Sequence, residues 1–166
     1  LQWKTTSVLP ADADGDLPPN GTPCYFFNLQ DDAWSGVPND RIQIYEMTTN
    51  WSNLNATNIT LSQSLNTDPF STNLGFGFDN IPQPGTSQKI DAIPGVFMYR
   101  AQHTRWPNHN SMVLTHVVDV DGTDHAGIRW YELRDDLNGN WSIYQQSTYA
   151  PDDAHRWMSS AAMDEQ

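Results

Sequence analysis

The side chains best equipped for chemistry crowd the last third of the chain, in HAGIRWYELRDDLNGNWSIYQQSTYAPDDAHRW. His125, Arg129 and Glu132 precede the DDLNGN turn, and Asp152, Asp153, His155 and Arg156 follow TYAP. Two carboxyl groups facing one sugar can divide the acid and nucleophile roles of glycoside cleavage, and guanidinium groups such as Arg100, Arg129 and Arg156 suit an anionic sugar. Glu132, Asp152, Asp153, His155 and Arg156 are therefore the candidate catalytic set of a hydrolase or lyase. The plainer reading of the same residues is architectural: Pro151 ends a strand, the aspartates cap a turn, Arg156 pairs with them, and Trp157 packs against its neighbours.

A second chemistry is metal binding. DADGD places Asp12, Asp14 and Asp16 at alternate positions around a glycine, and DVDGTD does much the same with Asp119, Asp121 and Asp124. Carboxylates so spaced can gather around Ca²⁺. Neither loop is an EF-hand, because the glycine falls early and no Glu closes the loop; ordinary solvated aspartate turns have the same composition. The histidines His103, His109, His116, His125 and His155 show no HExxH pairing, which gives zinc little support. His116 shares a strand face with Met112, Leu114 and Val118, the setting of a hydrogen-bonded core histidine. The GxSxG elbow of serine hydrolases is absent, as is the Ser-x-Asp-x-Gly-x-Thr-Trp box of sialidase propellers.

The elements that must position these groups read as strands. Short runs with β-branched or aromatic residues, bounded by Gly, Pro, Asn and Asp, predict strands over 25–30, 41–47, 59–65, 96–103, 112–120, 126–134 and 141–149. Asp121-Gly122 and Asn138-Gly139 predict tight hairpins joining the last three. Trp130 and Trp141, in adjacent strands, are expected in the core. The chain is all-β, with 166 residues for one real core and enough Trp, Tyr and Phe to fill it despite a hydrophobic fraction of 37%.

Charge excludes one partner class. The net charge is −12 and Lys4 and Lys89 are the only lysines, so a nucleic-acid backbone is not expected as a ligand. No run of 18 apolar residues exists, so no transmembrane segment is expected. The acidic, Lys-poor, Asn- and Thr-rich composition fits an extracellular surface. Cys24 stands alone and permits no internal disulfide. The chain opens on Leu1 and stops after SSAAMDEQ, which we read as a processed product or a fragment of a larger protein.

A weak internal repeat organises the strands. RIQIYEM at 41–47 resembles GIRWYELR from Gly127, and each is followed by an Asn-Trp-Ser triplet, at Asn50 and at Asn140. The offset of about ninety residues is twice the ~40–50 of a propeller blade. This predicts a lead-in over 1–24 rich in Asp and Pro, then an incomplete propeller-like region over 25–166, with one complete four-stranded antiparallel meander at about 96–149 and the next strand beginning in RWMSSAAMD. A β-sandwich is the alternative.

The pattern HAGIRWYELR, then NWSIYQQSTYAPDDAHRWMSSAAMD, resembles a recurring module of large, mostly uncharacterised secreted bacterial proteins with propeller-like β domains. The resemblance implies a bacterial, secreted or cell-surface protein; it brings no catalytic residues. Five Asn-x-Ser/Thr sequons, at Asn20, Asn50, Asn55, Asn58 and Asn140, would accept glycans in a eukaryotic secreted chain and arise by chance in a bacterial one. The sequence thus points to a binding or scaffold module, with an extracellular glycan and calcium as candidate ligands. Its strand 112–120, apolar on both faces, calls for cover from the remainder of a parent protein, a second chain or a copy of itself. The competing class is an extracellular carbohydrate-active enzyme whose site is completed by absent blades.

Overall fold

The structure, a computed structural model, describes residues 7–75 and 79–164; the expectation of a chain cut after Gln166 lies outside them. It is all-β. Eight strands form one sheet: β1 (Leu9–Asp14), β2 (Cys24–Gln30), β3 (Arg41–Thr48), β4 (Asn58–Asn66), β5 (Ala101–Arg105), β6 (Asn110–Asp119), β7 (Ala126–Asp135) and β8 (Trp141–Tyr149). The order is β4-β3-β2-β1-β5-β6-β7-β8. Every neighbouring pair is antiparallel except β1 and β5, which run parallel with Ala11 opposite Ala101.

The sheet curls into a half-barrel. Alternation explains the inside: Tyr25, Phe27 and Leu29 of β2, Ile42 and Ile44 of β3, Met112 and Leu114 of β6, and Tyr131 and Leu133 of β7 meet in one buried cluster with Trp141. At the seam the two edge strands approach and are bridged by side chains. The Trp141 N–H donates to Gln63 Oε1 at 2.9 Å, and the Asp68 N–H to Gln146 Oε1 at 3.2 Å.

This architecture corrects three expectations. The four strands at 101–149 are not a separate blade, because β5 continues through β1 into a single eight-stranded mixed sheet. Leu9–Asp14, inside the stretch read as a lead-in, is a central strand. Residues 156–164 form no strand. They run along the outside of the sheet instead, where the Ser159 hydroxyl meets Thr115 Oγ1 at 2.9 Å and the Gln102 amide grips both the N–H and the carbonyl of Met163.

Both faces of β6 are covered, as its sequence demands, but by this chain itself. Outside the barrel, Val117, Ala126 and Ile128 pack under Leu74, Ile81, Ala92 and Met98 of the 67–100 connection, with Trp157 alongside. Among the described residues the outer face of β2–β4 has no such cover, and Ile59 and Leu61 stay exposed. Trp141 is 3% exposed, as expected, whereas Trp130 points to the outer face and is only partly buried.

Gly127 shows how closely the outer layer sits. A Cβ there would stand 2.4 Å from Cγ2 of Val120 and 3.3 Å from Cβ of Ala150. Valine is stiff at χ1 and cannot swing clear. Gly127→Ala should cost about 1–3 kcal/mol through overpacking, read as a lowered urea midpoint; an unchanged midpoint would show that the 120–125 turn yields freely.

Candidate functional site

The sequence-predicted catalytic set is divided between the two ends of β7. Asp152 and Arg156 form a bidentate pair on the surface, at 2.7 and 2.9 Å, and this guanidinium holds the Asp152 carboxyl down at a pKa of about 2. Asp153 is exposed beside them. His155 Nδ1 accepts the Ala126 N–H at 3.2 Å, and the Arg156 N–H donates to the Ala126 carbonyl at 2.8 Å, so the segment is pinned to the start of β7. His125 joins this corner, its ring 5.8 Å from that of His155. Glu132 lies six residues further along β7, held by Arg134 at 2.6 Å and Gln145 at 2.6 Å. At the rise of a strand that is roughly 20 Å from the Asp152 corner, beyond the ~5–9.5 Å of glycosidase carboxyl pairs.

The two aspartate loops are likewise committed elsewhere. Asp12 and Asp14 alternate on the outer face of β1, where both pair with Arg100 and Asp14 also accepts from Gln102. Asp16 is exposed just past the strand. Asp119 accepts the N–H groups of Asp121, Gly122 and Asp124, and Asp121 accepts from Thr123, so the second loop is tied by its own backbone. We expect the melting temperature to be the same in chelator and in millimolar Ca²⁺; a rise with calcium would show linked binding at these loops.

Among the described residues, the carboxylates that converge within 4.8 Å are Asp31, Asp32 and Asp40. Their geometry is that of a staple. Asp31 accepts from Ala33 N, Thr72 N and Thr72 Oγ1 at 2.7–2.8 Å, and Asp40 accepts from Asp32 N and Phe70 N at 2.7 Å. Burial raises the pKa of Asp40 against these amides. The group fastens the 67–100 connection to the β2–β3 turn.

A cleft of about 370 Å³ opens at the other end of the half-barrel, where β2, β6 and β8 begin and β3, β5 and β7 finish. Pro18, Pro19 and Pro23 form one lip and the 137–139 turn the other. Between them lie Tyr25, Glu46, His103 and Asp135. Tyr25, His103 and Trp141 make a triangle of rings with centroids 5.3–6.3 Å apart. Burial pushes the Tyr25 hydroxyl up, with Asp135 and then Glu46 adding to it, and burial pushes His103 down, so its imidazole is neutral at neutral pH.

This end also holds buried polar atoms without partners. Among the described residues His103, 4% exposed, has none at Nε2; Trp141 Nε1 lacks a well-formed one, although its side chain interacts with that of Tyr25. A buried donor or acceptor left unpaired costs about 1–3 kcal/mol; His103 belongs to the cleft lining and Trp141 does not, so it is His103 that suits the cleft to a guest that hydrogen-bonds.

No family model, curated protein or solved structure matches this chain. The cleft therefore stands on its own geometry. Sequence reasoning considered His103 only for zinc and missed Tyr25, Glu46 and Asp135. The available signal was positional: all four sit near strand ends that the alternating order of the sheet brings to one end.

Proposed function

We propose that this chain is a secreted or cell-surface binding module of a larger bacterial protein, and that its ligand is an extracellular glycan held in the cleft beside His103. The observation that carries this reading is the unpaired, buried His103 Nε2 at a concave, mixed surface. Pro18, Pro19 and Pro23 offer apolar faces to sugar C–H groups, and Glu46, Asn110 and Asn138 offer hydrogen bonds to hydroxyls. The composition and the resemblance of the HAGIRWYELR region support the extracellular setting. The competing reading, a carbohydrate-active hydrolase or lyase, loses support from the distance between Glu132 and the Asp152 corner.

A glycan array and a reducing-sugar assay on the same protein separate the two classes. We expect binding without release of reducing ends, and loss of that binding in His103→Phe at an unchanged melting temperature. Turnover would favour the enzyme, and binding indifferent to His103→Phe would move the site elsewhere.

A further inference from the structure

Asp135 is 2% exposed and makes two hydrogen bonds, from the Gly139 N–H at 2.8 Å and from Asn110 Nδ2 at 2.7 Å. Among the described residues no cationic side chain pairs with it within 4.0 Å. Glu46, across the cleft, accepts from Ser62 at 2.7 Å and has no cationic partner either. A buried carboxylate ordinarily has a counter-charge. Arg105 is the cation of the lining, but it is exposed and pairs with neither carboxylate.

The two acids flank one spot. A Cβ placed on Gly139, whose N–H binds Asp135, would lie 3.8 Å from the Tyr25 hydroxyl and 4.0 Å from Glu46 Oε1. Glu46 and the Tyr25 hydroxyl therefore flank the Gly139 edge of the cleft, to which Asp135 is bonded, and the neutral His103 lies in the same lining. Oxygen acceptors, an aromatic ring and an uncompensated buried carboxylate form the surroundings of an ammonium group.

We infer that the glycan bound here carries a free amine: the cleft takes the ammonium of an unacetylated amino sugar between Asp135 and Glu46. This rests on the glycan-binding reading above and narrows it to a substrate class. An N-acetyl group would present a neutral amide to the two carboxylates and leave them without a counter-charge. The net charge of −12 draws any cation toward the protein, so attraction alone is not recognition, and the test must separate them.

Calorimetric titration with the β-1,4-linked tetramer of glucosamine, its fully N-acetylated counterpart and a lysine tetrapeptide does so. The glucosamine tetramer should bind about tenfold more tightly than the acetylated one. Glu46→Gln, at a half-exposed position, should remove most of that preference with the melt unchanged, and Asp135→Asn should remove it too if the turn survives. If the acetylated tetramer binds as well or better, and His103→Phe abolishes its binding, the amine inference is overturned while the cleft stands as a glycan site. If the glucosamine tetramer binds but Glu46→Gln has no effect, the attraction is diffuse and the inference fails. The lysine tetrapeptide binding in place of the sugar would also overturn it. If neither tetramer binds, both readings fall.

Discussion

Trp141→Ala should lower the free energy of unfolding by about 3–5 kcal/mol, a large part of the margin that keeps a domain of this size folded. Trp141 is buried at the start of β8, edge-on to Tyr25 at 5.3 Å and to Phe27 at 6.5 Å. Its indole therefore ties the last strand to the second, across the inside of the half-barrel. Its backbone N–H also makes one of the side-chain bridges of the seam. Removing the ring leaves a cavity between strands far apart in the sheet, where collapse is least able to fill it. Trp130→Ala serves as the internal control: that ring sits partly exposed on the outer face and should cost about 1–2 kcal/mol. Urea unfolding of the two variants checks the contrast, and equal losses would show that the inner cluster is not what holds the edges together.

Acid should unfold the protein well before its carboxylates are all protonated. His116 is fully buried between Phe70 and Phe97, with its ring 5.6 Å from that of Tyr131 and nearly parallel to it. Its Nδ1 donates to the Val117 carbonyl, which fixes Nε2 as acceptor from the Tyr131 hydroxyl at 3.0 Å. Burial drives its pKa from 6.5 down to about 3. The folded state thus binds fewer protons than the unfolded chain between those values, so stability is complete above pH 6.5 and is lost as the pH falls toward 3. Fully developed, this linkage removes on the order of 5 kcal/mol. His103, also lowered by burial, acts in the same sense. Asp40, raised by burial, opposes both by favouring the folded state in acid. Urea midpoints from pH 7.5 to pH 4 measure the slope. His116→Phe should flatten it, and a slope that persists in that variant would place the acid sensitivity elsewhere.

Six strands could be read from the sequence because their alternation is strong, and β6, apolar on both sides, even showed that each of its faces needs cover; the strand expected over 96–103 is instead Ala101–Arg105, with 96–100 part of the connection that precedes it. β1 was not legible. Its LPADAD has a proline and two outward aspartates, and its apolar side chains are Leu9, Ala11 and Ala13. Its place in the sheet comes from pairing two other strands in turn: Leu9 and Pro10 with β2, then residues 11–14 with β5. Pro10, lacking an N–H, stands next to that changeover. The repeat was real in topology, since 41–47 and 127–134 fall in the third strand of each four-stranded run, but its residues are not equivalent. Tyr131 lies in the core, whereas the matching Tyr45 is outside and bonds Gln43. A parallel junction relates the two runs by rotation about an axis along the strands, which exchanges inside and outside. The Asn-Trp-Ser triplets diverge for the same reason: Trp51 is 86% exposed and Trp141 is core. The cleft was hidden because its residues come from five strands whose meeting depends on the curl.

The same parallel junction shapes how the chain reaches this state. β1 and β5 pair residues about ninety positions apart, while every other pairing joins strands adjacent in sequence. The contacts within each run can form early and locally; the junction must wait for a large loop to close, which puts the molecule among slow folders. During that wait β1–β4 has no core to close upon, because Met112, Leu114, Tyr131, Leu133 and Trp141 all belong to the later run. On a ribosome the first run emerges long before these residues exist, with Tyr25, Phe27, Leu29, Ile42 and Ile44 on an open face. The hazard in making this protein therefore lies with half-finished chains that find one another, more than with finished ones that unfold.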